Sequence, residues 1–135
     1  MHWTIESFTD PAFVKIRAAG AASVAECARM VADLSSREFW HSGTPLLIDC
    51  LKVDVRNLRY DDIDRSGLIL QEYRDQFGHC RMALITMPGL GYGVSRQFKV
   101  LTESKTDIEV QIFLDDSSAI YWLAEAYASY TAQPV

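Results

Sequence analysis

Hydrophobic positions along this chain follow two rhythms. Residues 4–8, 13–18 and 108–114 alternate between apolar and polar, while residues 46–50 and 82–86 are almost continuously apolar. Alternation suits a strand with one covered face, and a short continuous run suits a strand covered on both. Between these runs the period lengthens to three and four. Val24, Cys27, Ala28, Val31 and Leu34 make one helical stripe, and Ile63, Ser66, Ile69, Leu70, Tyr73 and Phe77 make a second. Val94, Phe98 and Leu101 make a third, with Arg96, Lys99 and Glu103 facing elsewhere. Ile120, Leu123, Ala124 and Tyr127 make the last.

The residues between stripes supply starts and stops. Thr9-Asp10-Pro11-Ala12 has turn chemistry, since Pro presets its φ and Asp can bond local backbone, so the first two runs read as a hairpin. Gly20 ends the second strand. Ser23 and Glu26 stand at capping-box spacing. Residues 51–60 read as an irregular charged loop, and Asp61 then predicts the N-cap of a helix over 62–77 that Gly78 stops. Asp115, Asp116 and Ser117 open the final helix, where acids suit the positive end of the helix dipole. Residues 131–135 are expected to fray.

The resulting order, ββαβαβαβα, predicts an α/β fold: a mostly parallel five-stranded sheet. Right-handed crossovers put the helices mainly on one face. The other face is then half open and carries Phe13 and Phe113, which could support a homodimer. A length of 135 residues fits a single domain spanning 1–135.

Composition narrows the partners. The formal net charge is -5, so a nucleic-acid backbone is not an expected partner. No apolar run approaches the ~18 residues of a membrane span. The opening MHWTIESFTD lacks the basic-then-apolar block of an export signal, and a cytoplasmic location is expected. Cys27, Cys50 and Cys80 are odd in number and far apart, which reads as small apolar residues in a reducing compartment. His2, His41 and His79 are scattered, so neither a metal site nor a cofactor is expected.

The stretch RMALITMPGLGYGVSRQFKVLTES, residues 81–104, organises the rest: a buried strand, a glycine loop, then a helix opening near Tyr92-Gly93. GxGxxG fails because Val94 stands at the third glycine, and GxSxG fails because Gln97 follows Ser95. What remains is a sharp turn whose helix start offers free N–H groups to an anion, with Arg96 near enough to add a charge-assisted bond. A plain tight turn with a surface Arg is the favoured reading over a dedicated anion site. Asp49 lies within an apolar strand and needs a partner, from Arg or backbone N–H, which reads as structural anchoring.

The pieces LIDC, MALIT, GLGYGVSRQFKVL and EVQIFLDDSSAIYWL together resemble the SpoIIAA-like group of the STAS superfamily, which is similar to the CRAL-TRIO lipid-carrier fold. The resemblance implies a sheet with sequentially wound helices and a regulatory or ligand-binding role rather than catalysis. STAS regulators carry an Asp-Ser-Ser-Gly-Leu motif with a phosphorylated Ser. Asp64-Arg65-Ser66-Gly67-Leu68 resembles it, which makes Ser66 a phosphorylation candidate. Its place in the helical stripe reads instead as a core-facing Ser bonding a backbone carbonyl.

In open parallel sheets ligands meet the carboxyl ends of strands. The candidate ligand- or partner-binding residues at that rim are Asp54, Arg56, Gly91, Tyr92, Gly93 and Arg96. No nucleophile or acid–base pair emerges, so the expectation is a non-enzymatic STAS-type interaction module. The alternative is a carrier or sensor of a lipid or other small apolar ligand.

Overall fold

The computed structural model describes the backbone of residues 1–132 and the side chains of residues 1–125. The turn at Asp10-Pro11 makes the expected hairpin. Strands β1 (His2–Thr9) and β2 (Ala12–Ala21) pair antiparallel from His2 opposite Ala19 to Thr9 opposite Ala12. Three parallel strands follow in sequence order, β3 (Leu46–Asp54), β4 (Arg81–Ile85) and β5 (Glu109–Phe113), giving a five-stranded sheet ordered β1-β2-β3-β4-β5.

Strand β3 runs four residues further than its apolar run. Lys52, Val53 and Asp54 pair with Ala19, Gly20 and Ala21 beyond a register shift. The carboxylate of Asp49 takes the Leu51 N–H at 3.0 Å at that irregularity, the anchoring role expected of a polar residue in an apolar strand. Charge at residues 52 and 54 was a poor guide, because β2 extends far enough to offer them a hydrogen-bonding partner.

Helix α1 (Val24–Ser36) is capped as its sequence predicts, Ser23 Oγ accepting the Glu26 N–H at 3.2 Å. Helix α2 (Tyr60–Glu72) starts earlier than expected: its N-cap is Arg59, whose N–H the Asp62 carboxylate accepts at 2.9 Å. The stripe over 62–77 is broken at Tyr73, whose N–H is shared by the carbonyls of Ile69 and Leu70. A short helix α3 (Arg74–Phe77) then ends at Gly78, with φ +57°. Helices α4 (Leu90–Lys105) and α5 (Asp116–Ala132) complete the chain. Asp115 caps α5 by accepting the Ser118 N–H at 2.8 Å. The expected place of Tyr127 on the buried face lies outside the described side chains, and the fraying expected of residues 131–135 falls largely on residues outside the description.

Two cores flank the sheet. On one face Val14, Ile16, Leu46, Ile48, Met82 and Val110 pack against Val31 and Leu34 of α1, Leu70 of α2 and Phe77. On the other, Phe13, Leu47, Ala83 and Ile85 pack under Ala119 and Leu123 of α5. The half-open face expected from the sequence is therefore covered. Crossover handedness constrains α1, α2 and α4, each lying between parallel strands. Helix α5 lies after the last strand among the described residues, links no two parallel strands of this sheet, and folds back under the opposite face. Phe13 is 5% exposed and stacks on Phe8, while Phe113 tilts against Trp122, so the aromatic pair invoked for a homodimer is used within the chain. The Lys15 side chain, buried on the same face, pairs with Asp116 at 3.4 Å. An acid at the start of α5 thus neutralises a buried cation as well as suiting the helix dipole.

The polar side of α4 also has a definite task. Lys99 donates to the Val110 carbonyl and Glu103 accepts the Val110 N–H at 3.0 Å, which satisfies outward-facing backbone of the edge strand β5. Covering an edge in this way blocks pairing with another chain. One residue of α4 is unexplained: Thr102 is fully buried and its hydroxyl has no partner among the described residues. Thr102→Val keeps the shape and removes the orphan hydroxyl, so it should stabilise the fold by about 1 kcal/mol. Urea denaturation checks this, a rise in midpoint at unchanged slope being the expected result.

Candidate functional site

The carboxyl ends of β2, β3 and β4 open into a cleft of about 310 Å³ between the sheet and the helices α1, α2 and α4. Its floor is made where strand side chains are small or end early: Ala18 on β2, Ile48 and Cys50 on β3, Leu84 on β4. Ala22 and Ser23 continue the small-residue side into α1, which adds Cys27 and Met30. The irregularity after Asp49 allows both Cys50 and Val53 to face the cleft, although strict alternation would put them on opposite sides of the sheet.

The far wall is the start of α4. Gly89, at φ +88°, turns the chain from Thr86 into the helix, and Gly91 then lies directly on Thr86. A Cβ at residue 91 would sit 2.7 Å from Thr86 Oγ1, too close for any side chain, so glycine is what lets α4 approach the strand end. Gly91, Val94, Ser95 and Phe98 follow at helical spacing and all line the cleft.

The mouth carries the charge. Arg56 clamps Asp54 through three side-chain bonds of 3.0, 3.2 and 2.8 Å, and its own N–H adds a fourth at 3.0 Å. These bonds hold the Asp54 carboxyl well below the usual range, at about 2. The folded pKa is depressed, so the clamp is present at all pH values above the ordinary carboxylate range and is lost only as pH falls toward 2. The thiols inside behave oppositely. Burial raises Cys27, and burial followed by the charge of Asp49 pushes Cys50 up to about 12. Both are therefore protonated at neutral pH, poor nucleophiles and effectively apolar wall.

The structure brings together three of the six rim candidates. Asp54, Arg56 and Gly91 line one cleft, although residues 54–56 and 91 lie far apart in sequence. Tyr92, Gly93 and Arg96 do not line it; all three are exposed on the outer side of α4. The helix begins at Leu90, two residues before its expected start, and positions 92, 93 and 96 lie off the face of Gly91, Val94, Ser95 and Phe98 that lines the cleft. Ser66 also lines the cleft, its hydroxyl donating to the Asp62 carbonyl at 3.0 Å. The sequence reading missed Cys27, Thr86 and Ser95 as a group. The spacing 91-94-95-98 held the signal for Ser95, once the helix start was placed correctly.

Among the described residues no group of three or more His, Cys, Asp or Glu side chains could hold a metal ion, and no helix is long and apolar enough to cross a membrane. No protein-family model matches the chain, and no curated protein matches it. Among solved structures it is similar to an uncharacterized protein of the DUF3478 family with a SpoIIAA-like fold from Shewanella loihica PV-4. The two share 21% sequence identity and superpose with a TM-score of 0.61, over 90% of this chain and 92% of that one. A five-stranded, mostly parallel sheet wound with helices in this order, superposing across nearly the whole of both chains, identifies the architecture of this protein as the SpoIIAA-like fold.

Proposed function

We propose that this chain is a STAS-type, non-enzymatic module whose input is a small, largely apolar molecule held in the cleft at the carboxyl ends of β2 to β4. The observation that carries the reading is the cleft itself. It is walled mainly by aliphatic, Met and aromatic side chains and its volume is about 310 Å³. That lies at the lower end of the range for small-molecule sites, roughly 300–1,000 Å³. A single short chain or a compact ring fits such a space; a two-chain lipid does not. The polar groups present favour binding over chemistry, since Asp54 is tied to Arg56 and both thiols are held protonated.

Mass spectrometry of the purified full chain, with decanol added, tests this. Under native conditions a one-to-one adduct that vanishes on denaturation is the expected result. An unchanged mass, with no shift in melting temperature at saturating decanol, counts against an apolar site.

A further inference from the structure

The cleft is not uniformly apolar: besides the charged pair at its mouth, two hydroxyls line it near the start of α4. Ser95 is about nine-tenths buried against the cleft, and its hydroxyl has no hydrogen-bond partner among the described residues. Thr86, 3% exposed, lines the same end, and its hydroxyl is held only by a long 3.3 Å bond to the Met87 carbonyl. Between them the sixteen-residue helix α4 begins. Its N-cap is Gly89, which provides no side-chain cap, and no acidic residue stands in its first turn. The free N–H groups of that turn, and the positive end of the helix dipole, are left without the partner a capping side chain normally supplies.

We infer that the ligand carries one carboxylate, seated on Ser95, Thr86 and the first turn of α4, with its apolar body lying toward Met30, Ile48 and Phe98. The inference rests on the apolar-ligand reading above and specifies the head group. A buried hydroxyl and free backbone N–H groups donate to an acceptor, and a helix start favours that acceptor when it is anionic. Arg56 in the cleft lining is already engaged by Asp54, so a dianionic phosphate would meet that carboxylate without Arg56 to balance it, and a head group of a single negative charge is favoured.

Isothermal titration of the full chain with decanoate and with decanol, each below its aggregation concentration, tests the head group. Decanoate should bind about tenfold more tightly than decanol, the scale of a charge-assisted hydrogen bond. Ser95→Ala and Thr86→Val should each weaken decanoate about three- to tenfold. Decanol affinity should fall less than decanoate affinity in both variants, and an unchanged melting temperature shows that they remain folded. Equal affinity for the two ligands, or variants that weaken both alike, would overturn the carboxylate seat while leaving an apolar site standing. Failure of both ligands to bind would remove the apolar-ligand reading, and the head group with it.

Discussion

Leu123→Ala should destabilise the fold by about 2–5 kcal/mol, the usual cost of emptying a fully buried leucine site. Leu123 has no exposed surface and stands with Ala119 against Phe13, Leu47, Ala83 and Ile85. Among the described residues, helix α5 is held to the sheet by this contact, by Ile120 and Trp122 beside it and by the Lys15–Asp116 pair at its start, where Asp116 is half exposed and the ion pair accordingly screened. The apolar contact thus dominates. For a chain of this size the loss corresponds to a fall in melting temperature of roughly 8–20 °C. Tyr121 on the same helix is 76% exposed, so Tyr121→Ala should change stability by no more than about 0.5 kcal/mol. Thermal denaturation of the two variants side by side decides the matter. Equal melting temperatures would mean that α5 does not cover the second face.

That second face marks the limit of what the residue pattern could reveal about the fold. Strand order, the parallel pairing and the three crossover helices were all legible, because period and handedness act locally and leave one arrangement. The side taken by α5 was not, since it does not link two parallel strands among the described residues. Phe13 and Phe113 were correctly placed on the face away from the crossover helices, but the same pattern suits a solvent face, a dimer or a helix from the same chain. The distribution of small residues would have helped: Ala83 on β4 and Ala119 on α5 are both fully buried where helix meets sheet, the close approach that small side chains permit.

For the site, the rim was legible and its lining was not. Chain topology puts strand carboxyl ends together, so Asp54, Arg56 and Gly91 could be assigned to one edge without coordinates. Which side chains turn inward depends on the face of α4, and the stripe Val94, Phe98 and Leu101 already had Arg96 facing elsewhere. Tyr92, Gly93 and Arg96 were assigned to the rim because they lie near the helix start, while Ser95, one position from Val94, was not. Cys27 and Cys50 were read as small apolar residues, and they are, but their shared place in the cleft wall was not foreseen. Cys50 and Val53 share the cleft because the strand carries an irregularity at which Asp49 accepts the Leu51 N–H, and hydrophobic period does not locate an extra residue within Asp49-Cys50-Leu51-Lys52.

Ala18→Leu should separate the cleft from the rest of the molecule by moving stability and binding in opposite directions. Ala18 is 4% exposed, lies on the helix-facing side of β2 and forms part of the cleft floor. Leucine adds three carbons to space that no side chain fills. Burying them is worth at most about 0.8 kcal/mol per carbon, and cavity-filling changes typically realise about 0.5–2 kcal/mol. The melting temperature should therefore rise by roughly 2–8 °C. The same carbons occupy the room a ligand needs, and decanol affinity should fall by more than about tenfold, since overlap of even a methylene in a packed space costs 1–3 kcal/mol. A surface substitution would move neither quantity, and a substitution that damages the fold would lower both. Higher melting temperature with unchanged decanol binding would place the ligand elsewhere. A lower melting temperature would show that the space beside Ala18 is already filled, because leucine can destabilise that position only by displacing neighbours such as Ile48 or Leu84.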